Sequence, residues 1–323
     1  MQPVPVGMMT RYVVGVFVVA LASSTAVLSA QEKVQRDVPY HRPPVERKVL
    51  DVYTPAGTPH PATARRPVVF WIHGGGWQRG DKRDVDVKPR FFTDRGCVFV
   101  ATNYRLLPHV DMETLLRDVA EAVGWLHAHA ADYGGDPDGI FLMGHSAGAQ
   151  VAALLCTDDR YLNAVGVPFS SLLGCVPMDG DTYDVPAIIE TGETRRRVHG
   201  QPQLSYGHRQ KFGDDPQKHI TFSAVSHVRR DKLTPPFLLI HDAGGHDTAA
   251  QAHRLATVLR EAAVPVIVFA APETTHKAIN SRLGEPDDPA TNAVSAFMDT
   301  VLATRRPRSR EGDDVDKPHG LSP

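Results

Sequence analysis

The chain has 323 residues, of which 42% are hydrophobic and 22% charged, and it contains 26 Gly and 26 Pro. This composition excludes a collagenous or low-complexity protein and predicts a globular one. The 35 basic residues nearly balance the 37 acidic ones, so we expect no nucleic-acid partner. Cys97, Cys156 and Cys175 are too few and too scattered for a disulfide framework or a CxxC zinc site. We interpret them as buried thiols, with a Cys156–Cys175 bridge as the alternative.

Residues 1–30 have the layout of a secretory signal peptide. A single charge, Arg11, precedes an apolar run from Tyr12 to Ala22, and small and polar residues follow. We expect this segment to be cleaved and the chain to be exported, to the periplasm or the medium. The apolar stretch is marginal as a membrane span, so we expect no stable membrane insertion after cleavage, and an uncleaved anchor is the alternative.

The opposite end of the chain predicts a disordered tail. Residues 304–323 mix charges with Pro and Gly and contain only two aliphatic side chains. The remaining residues, 36–303, have the length of one domain.

Strand-like and helix-like segments alternate along this domain. Apolar runs bounded by turn residues predict strands, and apolar residues at helical spacing predict helices. Continuous apolar runs suit strands that are buried on both faces of a sheet. The alternation predicts an α/β protein with a doubly wound, mainly parallel sheet. The predicted strands are 48–55, 67–72, 96–105, 139–146, 172–180, 235–242 and 264–272, and the predicted helices are 111–129, 147–156, 248–263 and 293–303.

The stretch from residue 181 to residue 230 interrupts this alternation. It is polar, contains the basic triplet Arg195, Arg196 and Arg197, and shows no clear period. Fifty residues are too many for an ordinary connection between two strands. We expect a small cap or a long loop over the strand ends, with a disordered surface excursion as the alternative.

The strongest catalytic signal is the sequence GHSAG at residues 144–148, between a predicted strand and a helix-forming run. A serine at a sharp strand-to-helix turn needs small residues two positions to either side, because neighbouring chain passes very close. This context favours Ser146 as a nucleophile over an ordinary helix N-cap serine.

A second motif, HGGGW at residues 73–77, directly follows the strand 67–72. Consecutive glycines free the backbone to direct N–H groups into a cavity, where they can stabilise the oxyanion of a tetrahedral intermediate. A phosphate-binding loop is the alternative, but the Lys-Ser/Thr and GxGxxG patterns of such loops are absent. We interpret His73 as a brace for the loop.

With these two motifs, and the segment VATNYRLLP between them, the chain resembles the α/β-hydrolase serine esterases related to hormone-sensitive lipase and the bacterial carboxylesterases. The resemblance implies an α/β-hydrolase fold, a triad in the order Ser, Asp or Glu, His, and no metal or other cofactor. By position, it also implies that Ser146 is the nucleophile and that the amides of Gly75, Gly76 and Ala147 form the oxyanion hole.

The triad histidine should follow the last predicted strand. His276 lies five residues past Ala271, in the segment PETTHKAIN. This position makes His276 the candidate general base.

The triad acid departs from the pattern of this family. Relatives commonly place an Asp four residues after a strand-terminal His, and here that position holds Gly245. We predict Asp247 as the acid, because it opens a predicted helix 29 residues before His276 and should lie beside the strand ends. A helix N-cap is its alternative role. Asp242 is the second candidate, and Asp179, which follows the preceding strand, is the third.

Together these residues predict an exported serine carboxylic ester hydrolase that acts through an acyl-enzyme on a small-molecule ester. An amidase or formamidase, or an esterase that removes acetyl or feruloyl groups from polysaccharides, would use the same triad. A noncatalytic binding protein with the hydrolase fold is the alternative from another class. The near-neutral charge favours neutral or weakly acidic esters over polyanions.

Overall fold

The computed structural model describes Met1 and residues 33–56 and 65–305. Apart from Met1, the predicted signal peptide lies outside the described residues, and so do residues 306–323 of the predicted tail. Within the described ranges, no helix is both long enough and apolar enough to cross a membrane.

Both ends of the domain extend beyond the predicted bounds 36 and 303. The first strand already begins at Lys33. At the other end, Thr304 is the last residue of a helix, and the guanidinium of Arg305 lies 2.7 Å from the carboxylate of Asp136. Residues 304 and 305 therefore belong to the domain and not to the predicted tail.

The described ranges contain one eight-stranded sheet and the helices around it. The strands are β1 (Lys33–Pro39), β2 (Val49–Thr54), β3 (Arg66–Ile72), β4 (Val98–Thr102), β5 (Gly135–His145), β6 (Leu172–Met178), β7 (Phe237–Asp242) and β8 (Val266–Ala271). The α-helices are α1 (Lys88–Asp94), α2 (Met112–His129), α3 (Ala147–Thr157), α4 (Asp159–Asn163), α5 (Val185–Val198), α6 (His208–Phe212), α7 (Pro216–Thr221), α8 (His246–Glu261), α9 (Ala278–Ser281) and α10 (Pro289–Thr304).

The strand order across the sheet is β1-β2-β4-β3-β5-β6-β7-β8. The pairs β1–β2 and β2–β4 are antiparallel, and all the other pairs are parallel. Ile72 of β3 pairs with Gly144 of β5, and Gly144 pairs with Pro177 of β6. The central strands therefore end level, and the residues that follow them meet at one edge of the sheet, where α/β proteins place their sites.

Strand β3 shows how both faces of the sheet are buried. Val68, Phe70 and Ile72 belong to the core cluster on the α2, α3 and α8 side, and Val69 and Trp71 belong to the cluster on the α1 and α10 side. All five are at most 1% exposed. The period of two in the backbone thus distributes one continuous apolar run over two cores, as expected of a parallel strand between two helix layers.

Residues 181–230, called the cap from here on, contain the helices α5, α6 and α7. The side chain of Asp184 caps α5 by accepting the amide N–H of Ala187 at 3.2 Å. The basic triplet lies in the last turn of α5, where cations interact favourably with the helix dipole. The apolar face of α5 is narrow, which explains why the sequence shows no helical period there; its buried members are Val185, Ile188 and Ile189.

A buried ion pair links the loop after β3 to the antiparallel edge of the sheet. Lys82 Nζ lies 2.6 Å from Asp51 Oδ1, and both side chains are at most 2% exposed. Asp37, whose side chain is 74% exposed, lies 2.8 Å from the same amine. Asp51 also accepts the backbone N–H of Asp37 and a guanidinium N–H of Arg36. Asp51 is therefore the buried carboxylate that compensates the desolvated lysine.

We expect Asp51→Asn to lower the free energy of unfolding by about 3 kcal/mol, because it leaves a buried ammonium group without its buried partner. Asp37→Asn is the matched control. It removes the exposed partner and keeps a residue that tolerates the positive φ of 54° at this position, so its loss should stay below about 1 kcal/mol. Urea unfolding measures both values, and equal losses would contradict the assignment of Asp51.

Candidate active site

Ser146 lies at a sharp turn between β5 and α3. Its φ of 56° and ψ of −120° are unusual for a residue with a side chain. A Cβ built on Gly144 would lie 2.3 Å from the carbonyl oxygen of Gly148, and one built on Gly148 would lie 2.1 Å from that of Ile72. The amide of Ser146 donates to the carbonyl of Met178 at 2.9 Å. The GxSxG spacing is therefore a packing requirement, and it fixes the serine at the sheet edge.

His276 follows β8 and brings its ring to this turn. Its Nε2 lies 3.0 Å from Ser146 Oγ, and its Nδ1 lies 2.6 Å from Asp179 Oδ2. A carboxylate accepts the Nδ1 proton, which leaves Nε2 free to accept the serine hydroxyl. The hydrogen bond to Asp179 also raises the pKa of His276 above its ordinary value. Of the residues predicted from the sequence, Ser146 and His276 are thus brought together.

Asp179 lies directly after β6 and is 2% exposed. Burial alone would raise its pKa, but hydrogen bonds from His276 and from the backbone N–H of Asp242 outweigh burial, and the pKa of Asp179 is lowered. The carboxylate is therefore held ionised next to the imidazole. Because β6 is the neighbour of β5 in the sheet, the residue after β6 lies beside the turn that carries Ser146.

The prediction that Asp247 contacts the histidine is wrong. Both carboxylate oxygens of Asp247 bind the guanidinium of Arg195 in the cap, at 2.9 Å each. The N-cap of α8 is Gly245, so Asp247 does not cap the helix either. Asp247 lies in the first turn of α8, five residues past the end of β7, and this turn carries its side chain towards α5 and away from His276.

Asp242, the second candidate, is the last residue of β7. Its Oδ1 accepts the backbone N–H of Gly244 at 2.8 Å, and its own N–H donates to Asp179 Oδ1 at 2.9 Å. Asp242 thus supports the carboxylate that contacts His276. The only sequence signal for Asp179 is an Asp-Gly pair directly after an apolar strand. Which candidate is the triad acid depends on the order of the strands across the sheet, and that order is a property of the fold.

The glycine loop after β3 presents unpaired amides beside the serine. A Cβ built on Gly74 would lie 3.1 Å from the Cβ of Ser146, so the loop and the turn are in contact. Gly75 and Gly76 adopt φ values of 110° and 62°, which favour glycine. The backbone N–H groups of Gly75, Gly76 and Ala147 donate to no acceptor in the part of the chain that the structure describes. These are the three donors that the sequence assigned to an oxyanion hole.

Three side chains support the glycine loop, those of His73, Tyr104 and Arg47. His73 Nδ1 donates to the carbonyl of Gly74 at 2.7 Å, and the His73 ring stacks on Tyr104 with centroids 4.3 Å apart. The Tyr104 hydroxyl donates to the carbonyl of His73, and Arg47 donates to the carbonyl of Gly80. Burial lowers the pKa of His73 to about 4, so the ring is neutral and serves as a support. Tyr104 lies in the segment VATNYRLLP, which assigned it no role, and Arg47 lies in no motif.

His145, Asp179 and His276 each offer a ligand atom within 4.8 Å of the others, a spacing that a metal ion can use. Hydrogen bonds already join these groups, since His276 Nδ1 donates to Asp179 and His145 Nε2 donates to the carbonyl of His276 at 2.7 Å. Burial lowers the pKa of His145 to about 3, which keeps its ring neutral. We therefore interpret the cluster as a hydrogen-bonded support for His276.

Comparisons with known proteins are consistent with this geometry. The sequence profile of a family described as BD-FAE matches residues 50–259, which is 210 of the 323 residues. The chain is 29% identical over 266 residues to a probable carboxylic ester hydrolase, LipM, and 29% identical over 285 residues to the esterase LipQ, both of Mycobacterium tuberculosis. These matches cover 78% and 85% of this chain but 58% and 64% of the relatives. The chain thus spans about three-fifths of the length of these relatives.

Among solved structures, the chain is similar to an inhibited esterase B from Lactobacillus rhamnosis. The TM-score is 0.67 at 21% identity, and the similarity covers 84% of this chain and 88% of the other. At this identity the similarity shows the fold alone. It confirms the α/β-hydrolase fold that the sequence predicts.

The contact at Gly148 generates a stability prediction. We expect Gly148→Ala to lower the free energy of unfolding by at least about 2 kcal/mol, because the added methyl group would meet the carbonyl of Ile72. Gly192→Ala in α5 is the control, since a Cβ there meets nothing within 4 Å and alanine favours a helix, which should add roughly 0.5–1 kcal/mol. Urea unfolding of both variants measures the difference, and an unaffected Gly148→Ala protein would contradict the described turn.

Proposed function

Since the chain belongs to the BD-FAE family, we propose that it is a serine ester hydrolase that cleaves small carboxylic esters through an acyl-enzyme on Ser146. The observation that carries the proposal is the hydrogen-bonded series from Ser146 Oγ through His276 to Asp179, beside the unpaired amides of the glycine loop. The printed esterase names of the two mycobacterial relatives support it.

In the first half-reaction, Ser146 Oγ attacks the ester carbonyl carbon while His276 Nε2 takes the serine proton. The carbonyl oxygen becomes an anion, and the amides of Gly75, Gly76 and Ala147 are its proposed donors. One such donor typically contributes on the order of 10²–10³ in rate. The protonated His276 then gives its proton to the oxygen of the departing alcohol, while Asp179 stabilises the imidazolium.

In the second half-reaction, a water molecule attacks the acyl carbon on Ser146. His276 Nε2 removes a proton from this water, and the same amides bind the new oxyanion. Collapse of the intermediate releases the carboxylic acid and returns the proton to Ser146 Oγ. Each half-reaction needs His276 neutral at its start.

We also propose that the chain is exported, on the charge and apolar pattern of residues 1–30. The fold does not depend on an oxidising compartment, since Cys97, Cys156 and Cys175 are all buried and free. In an exported protein these thiols are shielded by the core.

We expect the protein to hydrolyse p-nitrophenyl esters between acetyl and decanoyl and to be labelled by a fluorophosphonate on Ser146. Ser146→Ala should lose both properties, because no other described hydroxyl lies against His276 Nε2. Absorbance at 400 nm and mass spectrometry of the labelled peptide give the two readouts, and a p-nitroanilide series separates ester from amide hydrolysis. A wild-type protein with neither hydrolysis nor labelling would exclude the esterase and favour a binding protein.

We expect Asp179→Asn to lower kcat by roughly 10⁴, because the imidazole loses the partner that fixes its tautomer and stabilises its positive charge. Asp247→Asn removes a partly exposed ion pair with Arg195 and should leave kcat nearly unchanged. A large loss in Asp247→Asn with little loss in Asp179→Asn would overturn the assignment.

We also expect Asp179→Asn to change the pH dependence of kcat/KM. Asp179 raises the pKa of His276 above its ordinary value, so kcat/KM of the wild type should fall as the pH falls through that raised pKa and protonates the base. In Asp179→Asn the acidic limb of the profile should move to lower pH. An unchanged limb would show that Asp179 does not act through His276.

A further inference from the structure

We infer that this enzyme prefers esters whose acyl group carries a carboxylate, which Lys211 of the cap and Arg79 of the glycine loop bind beside the nucleophile. The inference rests on the proposed function and specifies its substrate class. It starts from two cations near the site that form no ion pair with a carboxylate of the described residues.

Lys211 is a half-buried amine that the cap places against the glycine loop. It belongs to α6, whose Phe212 packs edge-on against Trp77 with ring centroids 5.1 Å apart. Lys211 Nζ lies 5.4 Å from the centroid of the Trp77 ring, and a Cβ built on Gly76 would lie 3.6 Å from the same atom. Burial lowers the pKa of Lys211, as expected for an amine with few waters around it. This amine thus lies next to one of the proposed oxyanion donors.

Arg79 is a second cation on the same loop. Its backbone N–H donates to the carbonyl of Gly75, and a Cβ built on Gly75 would lie 3.0 Å from Arg79 Cγ. The exposed Arg79 side chain lines a cavity of about 260 Å³ together with Gly74, Gly75 and His145. Among the charges around Lys211, that of Asp181 raises the pKa of the lysine and that of Arg79 lowers it, as a nearby opposite charge and a nearby like charge do.

Neither cation forms an ion pair with a carboxylate of the described residues. Asp181 faces Lys211 at longer range, and its own carboxylate lies 3.6 Å from His208 Nε2. Of the other acidic groups near the site, Asp179 binds His276 and Asp247 binds Arg195, while Asp84, which lines the same cavity as Arg79, accepts the amide N–H of Asp81. Two cations that form no ion pair of their own can bind a ligand that brings a negative charge.

The geometry of the reaction assigns this charge to the acyl group. The alkoxy oxygen of a bound ester has to lie against His276 Nε2, because it receives a proton there. The carbonyl oxygen has to lie against the amides of the glycine loop. The acyl chain is the remaining substituent of the carbonyl carbon, and it leaves the reacting centre next to the glycine loop, which carries Arg79 and lies against Lys211 of the cap. A monoester of a short dicarboxylic acid has its free carboxylate at this end.

The test compares kcat/KM for three esters by pH-stat titration. Monoethyl succinate carries the carboxylate on the acyl side, carboxymethyl butanoate carries it on the alcohol side, and ethyl pentanoate is neutral. We expect the wild type to prefer monoethyl succinate over ethyl pentanoate by at least about tenfold, the effect of one charge-assisted contact. High salt should reduce the preference, because the cations are partly exposed.

Lys211→Met should lose most of this preference and still hydrolyse ethyl pentanoate, whereas Lys211→Arg should retain the preference. Arg79→Met should show a smaller loss. The matched control is Arg197→Met, which removes the same charge from an exposed cap arginine that binds Thr194, and it should behave as the wild type. Thermal unfolding of each variant verifies that the cap still folds.

Each alternative outcome has a separate meaning. An equal loss on all three esters in Lys211→Met would show that the lysine supports the loop or the oxyanion, and it would overturn the inference. A preference for carboxymethyl butanoate would place the charge on the alcohol side and overturn it as well. Hydrolysis of ethyl pentanoate with no preference for either anionic ester refutes this inference alone, whereas hydrolysis of no ester refutes the proposed function.

Discussion

The close approach of β3, β5 and α3 is the constraint on which the rest of the structure depends. The first turn of α3 passes the carbonyl of Ile72, and the end of β5 passes Gly148, with clearances that admit no side chain at Gly144 or Gly148. This junction holds Ser146 at its positive φ of 56°. It also brings the glycine loop, which begins one residue past β3, into contact with the serine. One backbone junction therefore positions both the nucleophile and the amides opposite it.

The order of the strands across the sheet is a second constraint, because it determines which residue supplies the triad acid. His276 reaches the serine from the loop after β8, and its Nδ1 then faces the ends of β6 and β7. A carboxylate at either strand end would meet the same electrostatic need, since the imidazole requires only an acceptor for its Nδ1 proton and a negative charge nearby. In this chain β6 provides the carboxylate, Asp179, and β7 provides a backbone N–H, that of Asp242, which donates to it. The end of β7 thus contributes to the site without contributing the acid.

The sequence predicts the parts of this structure that local patterns determine. The apolar runs of β3 and β5 and the glycine spacing around Ser146 identify the sheet, the turn and the loop, because each is a consequence of backbone geometry within a few residues. The position of the acid depends on which strands lie side by side, and sequence distance does not report this order. Helix α5 of the cap was missed for another reason: it buries only one narrow apolar face, so its pattern is too weak to indicate a helix.

The charges near Ser146, like the position of the triad acid, depend on the fold and not on neighbouring residues in the sequence. The formal net charge of −2 describes the field far from the protein, where opposite charges cancel. Near Ser146 the relevant charges are few, and folding selects them: α6 brings Lys211 to Gly76, while Asp247, the acid expected at the site, is engaged by Arg195. The cap therefore determines two charges near the site, since Arg195 of α5 pairs with Asp247 and α6 places Lys211 beside Gly76.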